Sequence, residues 1–215
     1  MTTTLHHLLL AALASAIPAS VPDAAFAQPA PATRADPASE ALAAQDRGVL
    51  TAAEQLATQI EQLLERWITT QAITEDRLFA RLYFPITEPR SDPQKYSTPY
   101  SALAERDLLG PEDQTLASSP ALLYAILTDS NGYVPVHNTR FKLPLTGNAA
   151  QDYANNRTQR LLGDLASLNA ARSEAHHLVQ RTRLETGDVI YDLSVPVSVR
   201  GKHWGCVRIG YRRTE

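Results

Sequence analysis

The stretch HLVQRTRLETGDVIYDLSVPVSVRGKHWGCVRIGYR, residues 177–212, decides the fold. It reads as three strands, HLVQRTRL (177–184), VIYDLSVPVSV (189–199) and HWGCVRIGYR (203–212). The links are Glu185-Thr186-Gly187-Asp188 and Arg200-Gly201-Lys202, short polar turns that each contain Gly, so the segment predicts an antiparallel meander. Side chains on a strand alternate between faces. In the middle strand Tyr191, Leu193, Val195, Val197 and Val199 therefore share one face, the expected core side, while Asp192, Ser194 and Ser198 share the other.

Before the meander, ALLYAILTD (121–129) is an apolar strand, Ser130-Asn131-Gly132 is a hairpin signal, and YVPVHN (133–138) is expected to return beside it. Residues 139–175 read as a Pro- and Gly-containing loop followed by a polar helix around 149–162. The N-terminal side is helical. Ala53, Leu56, Ile60, Leu63 and Trp67 recur every three or four residues, with Thr51-x-x-Glu54 as a candidate capping box and Gly48 as a candidate interruption. This helix, residues 49–70, either packs on its own core or pairs with its copy in a homodimer. Shorter helical pieces follow at 74–82 and 100–109, the latter ending at Gly110-Pro111, separated by the Pro-rich FPITEPRSDPQKYSTP. Two strands, a helical crossing and three more strands predict an α+β domain: a five-stranded antiparallel sheet with helices on one side.

The first residues read as an address. An apolar run at 8–17 is followed by Pro18, Pro22 and Ala25-Phe26-Ala27, which predicts an exported, periplasmic protein with a signal peptide over 1–27 cleaved after Ala27, although no Lys or Arg precedes the run. Residues 28–38, QPAPATRADPA, read as a disordered lead-in. One domain is expected over 39–215, helical over 39–118 and sheet-forming over 119–215.

Composition narrows the chemistry. The 215 residues carry 20 Lys+Arg against 23 Asp+Glu, net charge −3, which argues against a nucleic-acid binder. The single Cys, Cys206, excludes a disulfide framework within the chain and Cys-based zinc or iron–sulfur sites. No nucleophile elbow or Gly-rich phosphate loop is present, and His176-His177, read as part of a strand, would point to opposite faces, so no catalytic or metal site is expected.

The sequence is similar to a known family. DSNGYVPVHNTRF (129–141), LTGN (145–148), NNRTQRLL (155–162), AAR (170–172) and DLSVPVSVRGKHWGCVRIGY (192–211) resemble the extracytoplasmic sensor domain of a group of methyl-accepting chemotaxis proteins. That group reads approximately D-x-N-G-Y-x-P-x-H-N, N-x-R-T, A-x-R-N and D-x-S-x-P-I-x-V-x-G-x-H-W-G-x-x-R, and the likeness spans roughly residues 80–212. It implies a PAS-like, Cache-type fold and ligand sensing rather than catalysis. The chain ends at Glu215 without a linker or signalling coiled coil, so a sensor module lacking its own output is expected, acting through a membrane signalling partner. The covalent haem of some relatives needs Cys-x-x-Cys-His, which is absent here.

A PAS-type pocket would lie between the sheet and residues 133–172. The candidate ligand-binding residues are Tyr133, His137, Asn138, Asn156, Arg157, Arg160, Arg172, Asp192 and Trp204. His137 and Asn138 either meet a ligand or tie down the loop. Arg157 and Arg160, three apart on the expected helix, suit the carboxylate of a small organic anion or an internal salt bridge. Arg172 pairs either with Asp192 or with a ligand, and Trp204 is either a stacking wall or core. Asp192, Trp204 and Arg208 occupy sheet positions where aliphatic residues are usual. Two further readings are a scaffold protein working through the long helix, and non-covalent haem held by His137, His176 or His177.

Overall fold

In the computed structural model, residues 42, 44–183 and 188–213 are described; the expected signal peptide and lead-in lie outside them. The chain opens with α1 (Ala44–Thr69), whose buried residues Val49, Ala53, Leu56, Ala57, Ile60, Leu64, Trp67 and Ile68 form one stripe. The helix starts before the expected cap: Thr51 lies inside it, its hydroxyl donating to Arg47 O at 3.1 Å. Gly48 does not interrupt it, and no atom lies within 4 Å of where its Cβ would be. A short α2 (Glu75–Phe79) is capped by Thr74, and the two-residue strands β1 (Phe84–Pro85) and β2 (Tyr96–Ser97) pair with each other. Then α3 (Ser101–Asp107) leads almost directly into α4 (Leu109–Ala117). Gly110-Pro111 opens α4 rather than ending a helix, because Pro lacks only an N–H that the first turn leaves unpaired.

The main sheet contains β3 (Leu122–Asp129), β6 (Leu178–Arg183), β7 (Val189–Val199) and β8 (Lys202–Tyr211), all antiparallel, in the order β3-β8-β7-β6. The three strands of the C-terminal meander therefore pair as read, the expected turn at 185–187 lying outside the described residues, but the sheet has four strands, not five. After the turn at Gly132 the chain leaves the sheet. Its β4 (Tyr133–Val134) pairs instead with β5 (Arg160–Leu161) in a separate ribbon. Two features divert it. Pro135 has no N–H to continue a ladder, and Asp129 folds the turn on itself, its Oδ1 accepting from Asn131 N at 2.9 Å and Tyr133 N at 3.0 Å. The edge that a fifth strand would have covered is satisfied by side chains: Asn138 Oδ1 accepts from Ala125 N and Glu112 Oε1 from Leu127 N, both at 2.9 Å.

Cross-strand register sorts the two faces. Leu193, Val195 and Val197 on β7 pair with Ile209, Val207 and Gly205 on β8, and Ala125 and Leu127 on β3 extend the same row. This face meets α1, and each buried Leu, Ile or Val side chain there contributes about 1.5–3 kcal/mol. The apolar stripe of α1 is thus used on its own sheet. The opposite face of the sheet is covered by α5 (Ala149–Asn155), a single 3-10 turn at Thr139–Phe141 and α6 (Leu165–Arg172), the last packing on β7 and β8. The expected helix over 149–162 ends early, at Asn155. No described helix is long and apolar enough to cross a membrane.

Candidate functional site

On the covered face, β3, β8 and β7 present two cross-strand rows, Tyr124–Gly210–Asp192 and Ile126–Arg208–Ser194. Gly210 is required in the first row: a Cβ there would lie 2.2 Å from Tyr124 Cε1. The Tyr124 ring crosses that gap and donates its hydroxyl proton to Asp192 Oδ2. Arg208 reaches the same carboxylate, with Nη2 at 2.7 Å and Nε at 3.1 Å from Oδ2, and donates from Nη1 to Ser167 Oγ at 2.9 Å. Ser167 is set by the start of α6, where Asp164 Oδ1 accepts from Ser167 N at 2.9 Å. The floor is therefore tied to its cover through Arg208.

Above this floor lies a cavity of about 280 Å³ lined by Tyr124, Ile126, Val134, His137, Tyr153, Arg157, Arg160, Leu162, Ser167 and Arg208. Arg157 and Arg160 do not share a helical face as expected. The chain leaves α5 after Asn155, turns through Gln159 at φ 59° and enters β5, so that Arg157 reaches the cavity from the turn and Arg160 from the strand. Arg160 is 6% exposed and its guanidinium donates to the backbone oxygens of Tyr153 at 3.2 Å, Asp152 at 3.0 Å and Asn156. Its Nε has no hydrogen-bond partner. Arg157 donates from Nε to Ala154 O at 3.0 Å and lies over the Phe141 ring at 4.4 Å. Neither arginine forms an ion pair among the described residues, and burial pushes both pKa values down. Among the cavity's arginines, Arg208 has a carboxylate partner in Asp192.

His137 completes the wall. It is 4% exposed, its Nδ1 has no hydrogen-bond partner, and its ring stands edge-on to Phe141 at 4.8 Å. Burial, then the charges of Arg157, Arg140, Arg160 and Arg208, push its pKa down to about 3, so the imidazole is neutral. Buried polar groups ordinarily find partners. Two that lack them, His137 Nδ1 and Arg160 Nε, belong to residues of one cavity wall, beside guanidinium groups with no ion pair among the described residues.

The other candidates fall elsewhere. Tyr133 is in the core, its hydroxyl donating to Tyr96 O at 2.7 Å. Asn138 seals the β3 edge, also donating to Asp113 Oδ1 at 3.2 Å. Asn156 accepts from Lys95 Nζ at 2.6 Å and donates to Leu143 O at 2.6 Å, bracing the turn behind the arginines. Arg172 is exposed and donates to Ser130 O at 3.3 Å; Asp192 is taken by Arg208 instead. Trp204 sits at the bulge between the β7 and β8 registers and packs into the α1-side core, edge-on to Tyr100 at 5.5 Å. The sequence reading left out Tyr124, Tyr153 and Ser167 from the cavity. Tyr124 shares strand parity with Ile126 and Thr128, the one signal that placed it on the face opposite Ala125 and Leu127.

His176 and His177 do not point to opposite faces of a strand. They precede β6 in a loop with their Nδ1 atoms 3.1 Å apart, and His176 reaches Glu54 on α1 at 3.2 Å. Among the described residues, no group of three or more His, Cys, Asp or Glu is placed to hold a metal ion.

No family model and no curated protein matches the chain. Among solved structures, one similar chain is an extracellular ligand binding receptor from Desulfohalobium retbaense, 13% identical, with a TM-score of 0.36, over 80% of this chain and 26% of that one. Another is the ligand-binding domain of a Pseudomonas fluorescens chemoreceptor in complex with L-serine, 16% identical, with a TM-score of 0.27, over 78% of this chain and 59% of that one. The chain thus spans less than two thirds of either. At such TM-scores the likeness carries neither fold nor ligand across to this chain.

Proposed function

We propose that the chain is an exported PAS-like sensor module that binds a small organic anion in the cavity on the covered face of its sheet and passes that event to a membrane partner. One observation carries the reading: Arg157 and Arg160 meet at a cavity with no carboxylate paired to either among the described residues, while Arg160 Nε and His137 Nδ1 lack any hydrogen-bond partner. A bound carboxylate would supply the missing negative charge, since a guanidinium fork matches two carboxylate oxygens. Export follows the cleavage pattern at Ala25-Phe26-Ala27, and the sensor role follows the motif resemblance given above.

The test is thermal unfolding of the full chain with a panel of carboxylates and phosphate, set against neutral sugars. An anion that binds the folded state raises Tm with concentration, and Arg157→Met abolishes that response while the unliganded protein still unfolds cooperatively. A folded protein that ignores every anion in the panel overturns the reading.

A further inference from the structure

We propose that the cavity takes carboxylates whose α-carbon bears no ammonium, that is α-hydroxy, α-oxo or unsubstituted acids with an apolar chain, and rejects the corresponding free amino acids. The inference rests on the anion reading above and narrows it to a ligand class. An α-amino acid places a cation one carbon from its carboxylate. A site that accepts it must offer acceptors for the ammonium, because an unpaired buried charge is costly.

This cavity offers none that is charged. Its lining contains three arginines and neither Asp nor Glu. Asp192, on the same face, is already consumed: Oδ2 receives Arg208 Nη2 at 2.7 Å, Arg208 Nε at 3.1 Å and the Tyr124 hydroxyl, while Oδ1 lies 3.3 Å from Arg208 Nε. Asp152, beside Arg160 in the cover, is spent on its own loop. Its Oδ1 accepts from Thr146 N at 2.7 Å and Thr146 Oγ1 at 2.8 Å, and its Oδ2 accepts from Gly147 N at 3.0 Å.

His137 stands on the same wall. The burial and the four arginine charges that hold its imidazole neutral act with the same sign on any other cation brought to that wall. A hydroxyl or keto oxygen at the α-carbon has no such conflict. Ile126, Val134 and Leu162 form the apolar wall on which the rest of the acid would lie.

Matched pairs separate the two questions. Titration calorimetry on the full chain compares 2-hydroxyisocaproate with L-leucine, and glycerate with L-serine, the members of each pair differing at the α-substituent. The expected result is measurable binding of a hydroxy acid and binding of its amino acid weaker by roughly tenfold or more. Equal or tighter binding of the amino acid overturns this inference and leaves the anion reading intact. No binding by either member of either pair overturns the inference, and a further failure of the wider anion panel removes the reading beneath it.

Discussion

Arg208 and Asp192 are diagonal neighbours on the adjacent strands β8 and β7, Nη2 to Oδ2 at 2.7 Å, with both side chains more than nine tenths buried at 7% and 8% exposure. Burial opposes the charge on Arg208, and the Asp192 and Tyr124 oxygens more than offset it, so its pKa is pushed up. Removing one partner leaves the other charge stranded in the interior. Asp192→Asn should lower stability by about 3–5 kcal/mol in urea unfolding, whereas the double replacement Asp192→Leu with Arg208→Met should cost clearly less than the single change. A single variant as stable as the parent would show that the pair contributes nothing.

Glu112 gives a pH signature of the β3 edge. Burial first, then the Asp113 charge, against the Leu127 N–H, hold its carboxyl well above the usual range. Its Oε2 has no hydrogen-bond partner, and the residue is buried at 0% exposure. An acid whose folded pKa is raised binds more protons folded than unfolded, so its contribution is present below the unfolded value and lost as pH rises. Glu112→Gln should therefore gain stability relative to the parent as pH climbs from about 5 to 9. Parallel stability curves for the two proteins would reject this.

His137 has the opposite sign at the acid end. Its folded pKa, pushed down to about 3, lies below the ordinary value of 6.5, so the unfolded chain binds the extra proton between them. Stability that His137 supplies above pH 6.5 is lost as pH falls toward 3. His137→Gln should flatten that limb of the stability profile. The anion-induced rise in Tm should also stay constant from about pH 5.5 to 7.5, because the imidazole is neutral throughout. An inflection near the ordinary histidine value would contradict the burial described.

Much of this fold was legible because its signals are periodic and local. Val195, Val197 and Val199 alternate with Pro196 and Ser198 along β7, and the polar, Gly-containing stretches on either side read as turns, so three antiparallel strands follow from residues 177–212 alone. The stripe from Ala53 to Trp67 likewise gave α1. The fifth strand failed on a single residue pattern: Gly132 makes the turn, but Pro135 and the Asp129 side-chain bonds divert the returning chain from β3, and its two-residue strand pairs with β5 instead. The site was legible only in part. Arg157, Arg160 and His137 were singled out as candidates by residue type and motif, but their meeting at one cavity depends on Gln159 at φ 59° and on a two-residue ribbon, neither of which has a sequence period. Helix α6, set by Asp164 capping Ser167, was missed because its buried side is made of Ser167, Ala170 and Ala171 rather than large apolar residues.

Glycines on β8 separate two kinds of close approach. A Cβ at Gly205 would lie 2.0 Å from Thr128 O and 2.7 Å from Asp129 Cα, both backbone atoms that cannot move without breaking the β3–β8 ladder. At Gly210 the obstacle is the Tyr124 ring, 2.2 Å away, which can swing aside at the expense of its bond to Asp192. Both Gly205→Ala and Gly210→Ala should destabilise, by about 1–3 kcal/mol or more, with Gly205→Ala the worse. Gly210→Ala should also weaken anion binding, since Tyr124 forms part of the cavity wall. The reverse order of stability would show that the ladder yields more easily than the ring.

Lys95 ties the arginine-bearing turn from behind. Its Nζ, in a side chain 4% exposed, donates to Asn156 Oδ1 at 2.6 Å and to Thr158 O, the residues that bracket Arg157. Burial, then the Arg160 charge, push its pKa down to about 8, yet the neutral amine still has two protons for these two acceptors. Lys95→Met keeps the stem and removes both bonds, leaving a buried carbonyl and a buried amide oxygen unpaired. It should cost about 1–3 kcal/mol of stability. Because Arg157 and Arg160 leave α5 through this turn, the same variant should also reduce the response to an anion that the parent binds, although Lys95 does not line the cavity. Thermal unfolding with and without that anion measures both effects. Loss of stability with an unchanged anion response would make Lys95 a structural brace alone and would show that Arg157 and Arg160 hold their positions without it.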